Sequence, residues 1–153
     1  MHKRPAALLV LLVLLASFFG CTSASNITAT SSISATMPSP TTPPVIKNVS
    51  PVQADEVIRA NKGTANFIII DVRTPSEYAG GHLAEAINMD VNAPDFKDKI
   101  NLLDKSKTYF VYCRTANRSS SAVKVMAELG FKDIYNMTGG ITEWQAEGLT
   151  VVK

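Results

Sequence analysis

Residues 108–130 read TYFVYCRTANRSSSAVKVMAELG. Tyr109-Phe110-Val111-Tyr112 is an aromatic and β-branched run of the kind that forms a buried strand. From Ser119 to Leu129, the residues Ala122, Val123, Val125, Met126 and Leu129 share one side at helical spacing, and Gly130 stands where that helix should stop. Between the two lies a short polar loop, Cys113-Arg114-Thr115-Ala116-Asn117-Arg118. A cysteine at the carboxyl end of a strand, just before a helix, occupies the position where parallel α/β folds bind their ligands. The loop N–H groups and the positive end of the helix can both face the sulfur, and two arginines add charge. All three terms favour an anion, so Cys113 is expected to be a reactive thiolate rather than an inert core thiol.

The loop CRTANRS resembles the C-x4-R active-site loop of the rhodanese family of sulfurtransferases. Two further blocks resemble the family's pattern: DVRTPSEYAGGHLAEAINM, Asp71 to Met89, and GGITEWQAEG, Gly139 to Gly148. The matches occur in family order and span roughly Val45 to Lys153. Ala84-Glu85 stand where the family often has Pro-Gly, and Ala116 where the loop often has glycine. A left-handed backbone at Ala116 would cost alanine about 1 kcal/mol.

The resemblance implies a single rhodanese-like α/β domain over residues 45–153, with a central parallel sheet of about five strands and helices on both faces. The residues read the same way. Val52 to Ala60 is a helix behind Ser50-Pro51. Phe67 to Ile70 is a strand apolar on both faces. Thr74-Pro75-Ser76-Glu77 opens a short helix with a capping box. Ala86 to Met89 is a strand, Ala93 to Leu103 a helix with Phe96, Ile100 and Leu103 inward, Ile134 to Met137 a strand, and Ile141 to Glu147 a helix. Thr150 to Val152 returns as a strand or tail. Strands alternating with helices argue for a parallel sheet.

The amino terminus is a targeting segment. Met1 to Arg4 is basic, and Ala6 to Phe19 is a 14-residue apolar run, which is short for a membrane span and fits a secretory leader. Gly20-Cys21 after it resembles a lipoprotein processing site. This makes residues 1–20 a signal peptide and Cys21 an acylated first residue. The protein would then be exported and held by its lipid on the outer face of the cell membrane or in the periplasm. An ordinary cleaved signal is the alternative. Sixteen of the 23 residues from Thr22 to Pro44 are Ser, Thr or Pro and none is charged, so residues 21–44 are expected to be a tether too polar to fold. Asn26-Ile27-Thr28 and Asn136-Met137-Thr138 match the glycosylation pattern, and no role is assigned to either.

Removing the leader leaves 13 basic against 13 acidic residues. The sequence pI of 8.6 therefore reflects the leader and does not point to a nucleic-acid partner. One histidine, His82, and one non-terminal cysteine cannot assemble a zinc site, and neither metal nor organic cofactor is expected. Asp71 and Arg73 are read as structural, since an aspartate just after a buried strand caps neighbouring backbone or pairs with an arginine; His82 is read as structural rather than a general base, and Trp144 as a packing residue. Asn117 can donate to a loop carbonyl or to a ligand.

What the family implies is sulfur transfer through a persulfide on Cys113, with Arg114, Thr115, Ala116, Asn117, Arg118 and Ser119 around the substrate. The donor is a small molecule such as thiosulfate, the acceptor cyanide or a thiol, and the protein is expected to be a monomer. Two other classes compete. Related phosphatases and arsenate reductases carry C-x5-R, one residue longer than the Cys113–Arg118 spacing. A tethered, non-enzymatic binding or redox-sensing module would use the same fold, although inactive relatives typically lose the cysteine.

Overall fold

The computed structural model describes residues 43–153. The leader, Cys21, the first sequon and the Ser/Thr/Pro-rich stretch through residue 42 lie outside the described residues. Five strands, β1 (Val45–Val49), β2 (Phe67–Asp71), β3 (Ile87–Asn88), β4 (Thr108–Tyr112) and β5 (Asp133–Met137), alternate with five helices. These are α1 (Pro51–Asn61), α2 (Pro75–Ala79), α3 (Phe96–Asn101), α4 (Asn117–Glu128) and α5 (Gly140–Ala146).

The strands form one sheet in the order β1-β5-β4-β2-β3, and every pairing is parallel. Strand β4 is central and buried on both faces because its side chains alternate between two cores. Tyr109, Val111 and then Cys113 join Ile70 of β2, Phe96 and Ile100 of α3, and Ala122, Val123 and Met126 of α4. Phe110 and Tyr112 face the opposite way, with Ala54 of α1 and Ile141 and Trp144 of α5. The parallel α/β sheet with helices on both faces is therefore the observed architecture.

Local chemistry sets the helix ends. Ser50 and Gln53 close a capping box at α1, and Thr74 and Glu77 another at α2, each with proline at the first helical position. Helix α4 ends in a Schellman arrangement: Phe131 N–H donates to Met126 O at 3.1 Å and Gly130 N–H to Ala127 O at 3.0 Å. Gly130 takes the left-handed turn at φ 90°.

Of the two readings of Thr150 to Val152, the tail holds, with an antiparallel bridge between Val152 and His82. The structure departs from the sequence reading in three places. Val45–Val49 is a strand, pairing along its length with β5. Helix α3 begins at Phe96 instead of Ala93, because the ring of Pro94 disfavours helical backbone at the residue before it. Helix α4 begins at Asn117, two residues earlier than periodicity indicated, so Asn117 and Arg118 belong to its first turn and not to a loop.

Candidate active site

Cys113 follows the last residue of β4, and the chain reaches α4 through only Arg114, Thr115 and Ala116. So tight a connection needs a reversal of backbone hand, and Ala116 supplies it at φ 77°. This is the left-handed position for which alanine is a costly occupant. Asn117, Arg118 and Ser119 open α4, and their N–H groups have no acceptor within the helix. The Ser119 hydroxyl donates to Ala116 O at 3.0 Å, holding the turn from inside, and Ser119 is fully buried. Arg114, Thr115 and Asn117 are exposed, and Ala116 and Arg118 half-buried. Cys113 itself is 1% exposed, a free thiol beneath its loop.

The other wall comes from α5. Ile141 N–H donates to Cys113 O at 2.9 Å, and Thr142 N–H to Arg114 O at 3.1 Å. These bonds require the start of α5 to lie directly on the loop backbone. Gly140, at φ 61°, permits it: a Cβ there would land on the Arg114 and Cys113 carbonyls. Gly140 is thus a contact surface for the loop, and Gly139, at φ 69°, supplies the turn before it.

Asp71 and Arg73 form a buried ion pair. Arg73 Nη2 donates to Asp71 Oδ2 at 2.6 Å and to Gly81 O at 2.7 Å. Arg73 Nε donates to Asp71 Oδ1 at 2.9 Å. Both side chains are buried, so the ion pair is satisfied from several sides, as a desolvated pair must be. The guanidinium lies over the Tyr112 ring at 5.8 Å. Burial pushes the Tyr112 phenol above its ordinary range, with the Asp71 charge acting in the same direction, and its oxygen accepts the Leu83 N–H at 3.0 Å. His82 stacks on Tyr78 with centroids 3.7 Å apart and its Nδ1 sits 3.1 Å from Tyr78 O. It serves the packing of residues 78–82 and the bridge to Val152. Trp144 packs as expected, donating Nε1–H to Thr150 O at 3.0 Å.

One residue that sequence reasoning took only for a helix cap belongs to this site. Glu77 accepts from both terminal nitrogens of Arg118, each at 2.7 Å, a two-pronged contact joining α2 to α4. Arg118 holds the Glu77 carboxyl down to about 2, against an ordinary value of 4.5. The Thr74–Glu77 capping box was visible in the sequence. The partner 41 residues away was not, since nothing local announces it. Among the described residues no group of His, Cys, Asp or Glu could hold a metal ion.

These elements define a parallel α/β protein with a cysteine at the carboxyl end of its central strand, roofed by a short loop that opens a helix. Residues 53–147 match the rhodanese-like domain family, and the chain belongs to that family. The thiosulfate sulfurtransferase GlpE of Ectopseudomonas mendocina is 32% identical over 100 residues, covering 65% of this chain and 85% of that protein. The sulfurtransferase of Allochromatium vinosum is 25% identical over 104 residues, covering 68% of this chain and 95% of its own. Among solved structures, the rhodanese-related protein of Thermoplasma volcanium is 31% identical with a TM-score of 0.59, over 69% of this chain and 97% of that one. Such relatives support sulfurtransferase activity in general.

Proposed function

We propose that the protein transfers sulfane sulfur from a donor such as thiosulfate to cyanide or a thiol through a persulfide on Cys113. The observation that carries this reading is the placement of a free cysteine at the end of β4, under a loop whose next N–H groups open α4. In the first half-reaction the Cys113 thiolate attacks the outer sulfur of thiosulfate. The S–S bond of the donor breaks, sulfite leaves with the electron pair, and Cys–S–S⁻ remains. In the second, cyanide attacks the outer sulfur, thiocyanate leaves and the thiolate returns. This is ping-pong covalent catalysis, and charge balances in both halves without an external oxidant. Backbone N–H groups of residues 114–119 are the available donors for the terminal sulfur anion, as an oxyanion hole serves oxygen. Cys113 is 1% exposed, so donor and acceptor must meet a sulfur that lies beneath the loop.

The test is sulfur loading. After thiosulfate treatment, intact mass spectrometry of the wild type should show one added sulfur, and Cys113→Ser none while remaining folded. Loading of a folded Ser variant refutes the mechanism. A wild type that never loads leaves the binding or redox module as the better reading. The four-residue Cys113–Arg118 spacing argues against a phosphatase, so aryl phosphate hydrolysis should be slow beside sulfur transfer.

The leader carries a second part of the proposal: acylation of Cys21 anchors the domain outside the cell. The wild type should take up labelled fatty acid and partition with membranes, and Cys21→Ala should disturb both processing and acylation. An unlabelled wild type makes ordinary secretion the better reading.

A further inference from the structure

Two arginines occupy the stretch around Cys113, and they are in different situations. Arg118 is already committed. Its two prongs meet both Glu77 oxygens, the geometry in which guanidinium and carboxylate match best. Glu77 is fixed from behind as well, because the Thr74 N–H and hydroxyl donate to Oε2 at 3.1 and 3.0 Å. Four donors from two elements therefore converge on one carboxylate, and the pair keeps only 25% and 29% of its side-chain surface exposed. Arg114 has no carboxylate partner among the described residues. It is exposed and lines a cleft of about 370 Å³ together with Glu77, Gly81, Thr142 and Gln145.

We infer that Glu77 is a positioning residue of the sulfur-transfer site, fixing Arg118 and with it the turn from Cys113 into α4, and that Arg114 is the cation left to meet an anionic donor. The inference rests on the sulfurtransferase reading above. Its physical basis is the strained turn at Ala116, since a left-handed alanine persists only where its surroundings over-determine it. The α5 N–H groups hold the loop at Cys113 and Arg114. The Glu77 clamp holds the other end at Arg118. Charge divides the two arginines in the same way. Glu77 balances Arg118 at contact distance, so little of its field reaches an approaching anion, whereas that of Arg114 is unopposed at close range.

Steady-state kinetics on the full chain, with thiosulfate and cyanide, separates the roles. Glu77→Gln retains an acceptor for the Thr74 N–H and removes the carboxylate from Arg118. It should lower kcat about tenfold while leaving KM for thiosulfate almost unchanged. Arg118→Ala should fall to the same level, and the double variant no further, because the two act as one unit. Arg114→Ala should raise KM for thiosulfate about tenfold with little change in kcat. If Glu77→Gln does not fold, Arg118→Lys, which keeps the charge and loses the two-pronged contact, must show the same loss of kcat. A second readout needs no sulfur chemistry: alkylation by iodoacetamide, followed on the peptide that holds Cys113, should be severalfold faster in Glu77→Gln than in wild type. The inference is overturned if Glu77→Gln changes KM alone, gains activity, adds to Arg118→Ala, or alkylates at the wild-type rate. A wild type that turns over no thiosulfate refutes the sulfurtransferase reading instead, and the alkylation rates then decide the clamp alone.

Discussion

Ala116 concentrates the tension of the site in a single Cβ. The turn out of β4 requires φ 77° there, and alanine lacks the freedom that glycine would bring. Ala116→Gly should therefore stabilise the folded domain by about 1 kcal/mol, seen as a higher urea midpoint at unchanged slope. The stabilisation is not expected to help turnover, since the same freedom loosens the roof over Cys113. Glu85, at φ 65°, is the other non-glycine residue in this conformation among the described residues. Both departures from the family pattern were visible in the sequence, and each falls on a left-handed position. The arrangement around Arg118 was not visible. An arginine five residues after a strand-end cysteine reads locally as an anion binder, and only the fold brings Glu77 to it.

Helix α5 shows how one element governs another's backbone. Its first two N–H groups beyond the glycines bond the Cys113 and Arg114 carbonyls, which is possible only while Gly140 has no side chain. Gly140→Ala should push the loop and α5 apart, lowering the melting temperature and abolishing sulfur loading. Gly148→Ala is the control: its φ of 74° is similar but nothing lies within 4 Å of the added carbon, so it should cost only about 1 kcal/mol and leave loading intact. Legibility at this scale followed how local the cause was. Strands β2 and β4 were readable from continuous apolar runs, β5 from Ile134, Tyr135 and Met137, and the starts of α1 and α2 from Ser50-Pro51 and from the Thr74–Glu77 capping box. Strand β1 was not, because Val45-Ile46-Lys47-Asn48-Val49 is an edge strand with Val45 and Ile46 well exposed, and its identity comes from pairing with β5. The start of α4 was missed because the polar Asn117 and Arg118 break the apolar periodicity that marked the rest of it.

For the molecule as a whole, the Glu77–Arg118 contact links two segments distant in sequence and gives stability a pH dependence. The Glu77 carboxyl lies at about 2 when folded against 4.5 ordinarily. Its contribution is complete above 4.5 and disappears as pH falls through about 2. Denaturation followed between these limits should show wild-type stability declining more steeply than that of Glu77→Gln. Equal slopes would mean that the ion pair adds nothing to the fold. A different consequence follows from the interior position of β5. It lies between β1 and β4, and Asn136, only 5% exposed, donates its amide to Asn48 Oδ1 at 2.9 Å. Asn136 is also the acceptor of the Asn136-Met137-Thr138 sequon, so in a host that attaches glycans to nascent chains, sugar transfer and sheet closure compete for the same side chain. A chain modified before β5 is enclosed could not finish folding. Recombinant yield from such a host should rise on Thr138→Ala, while in bacteria the same substitution should show only the loss of the Thr138 hydroxyl's bond to Val49 O at 3.1 Å.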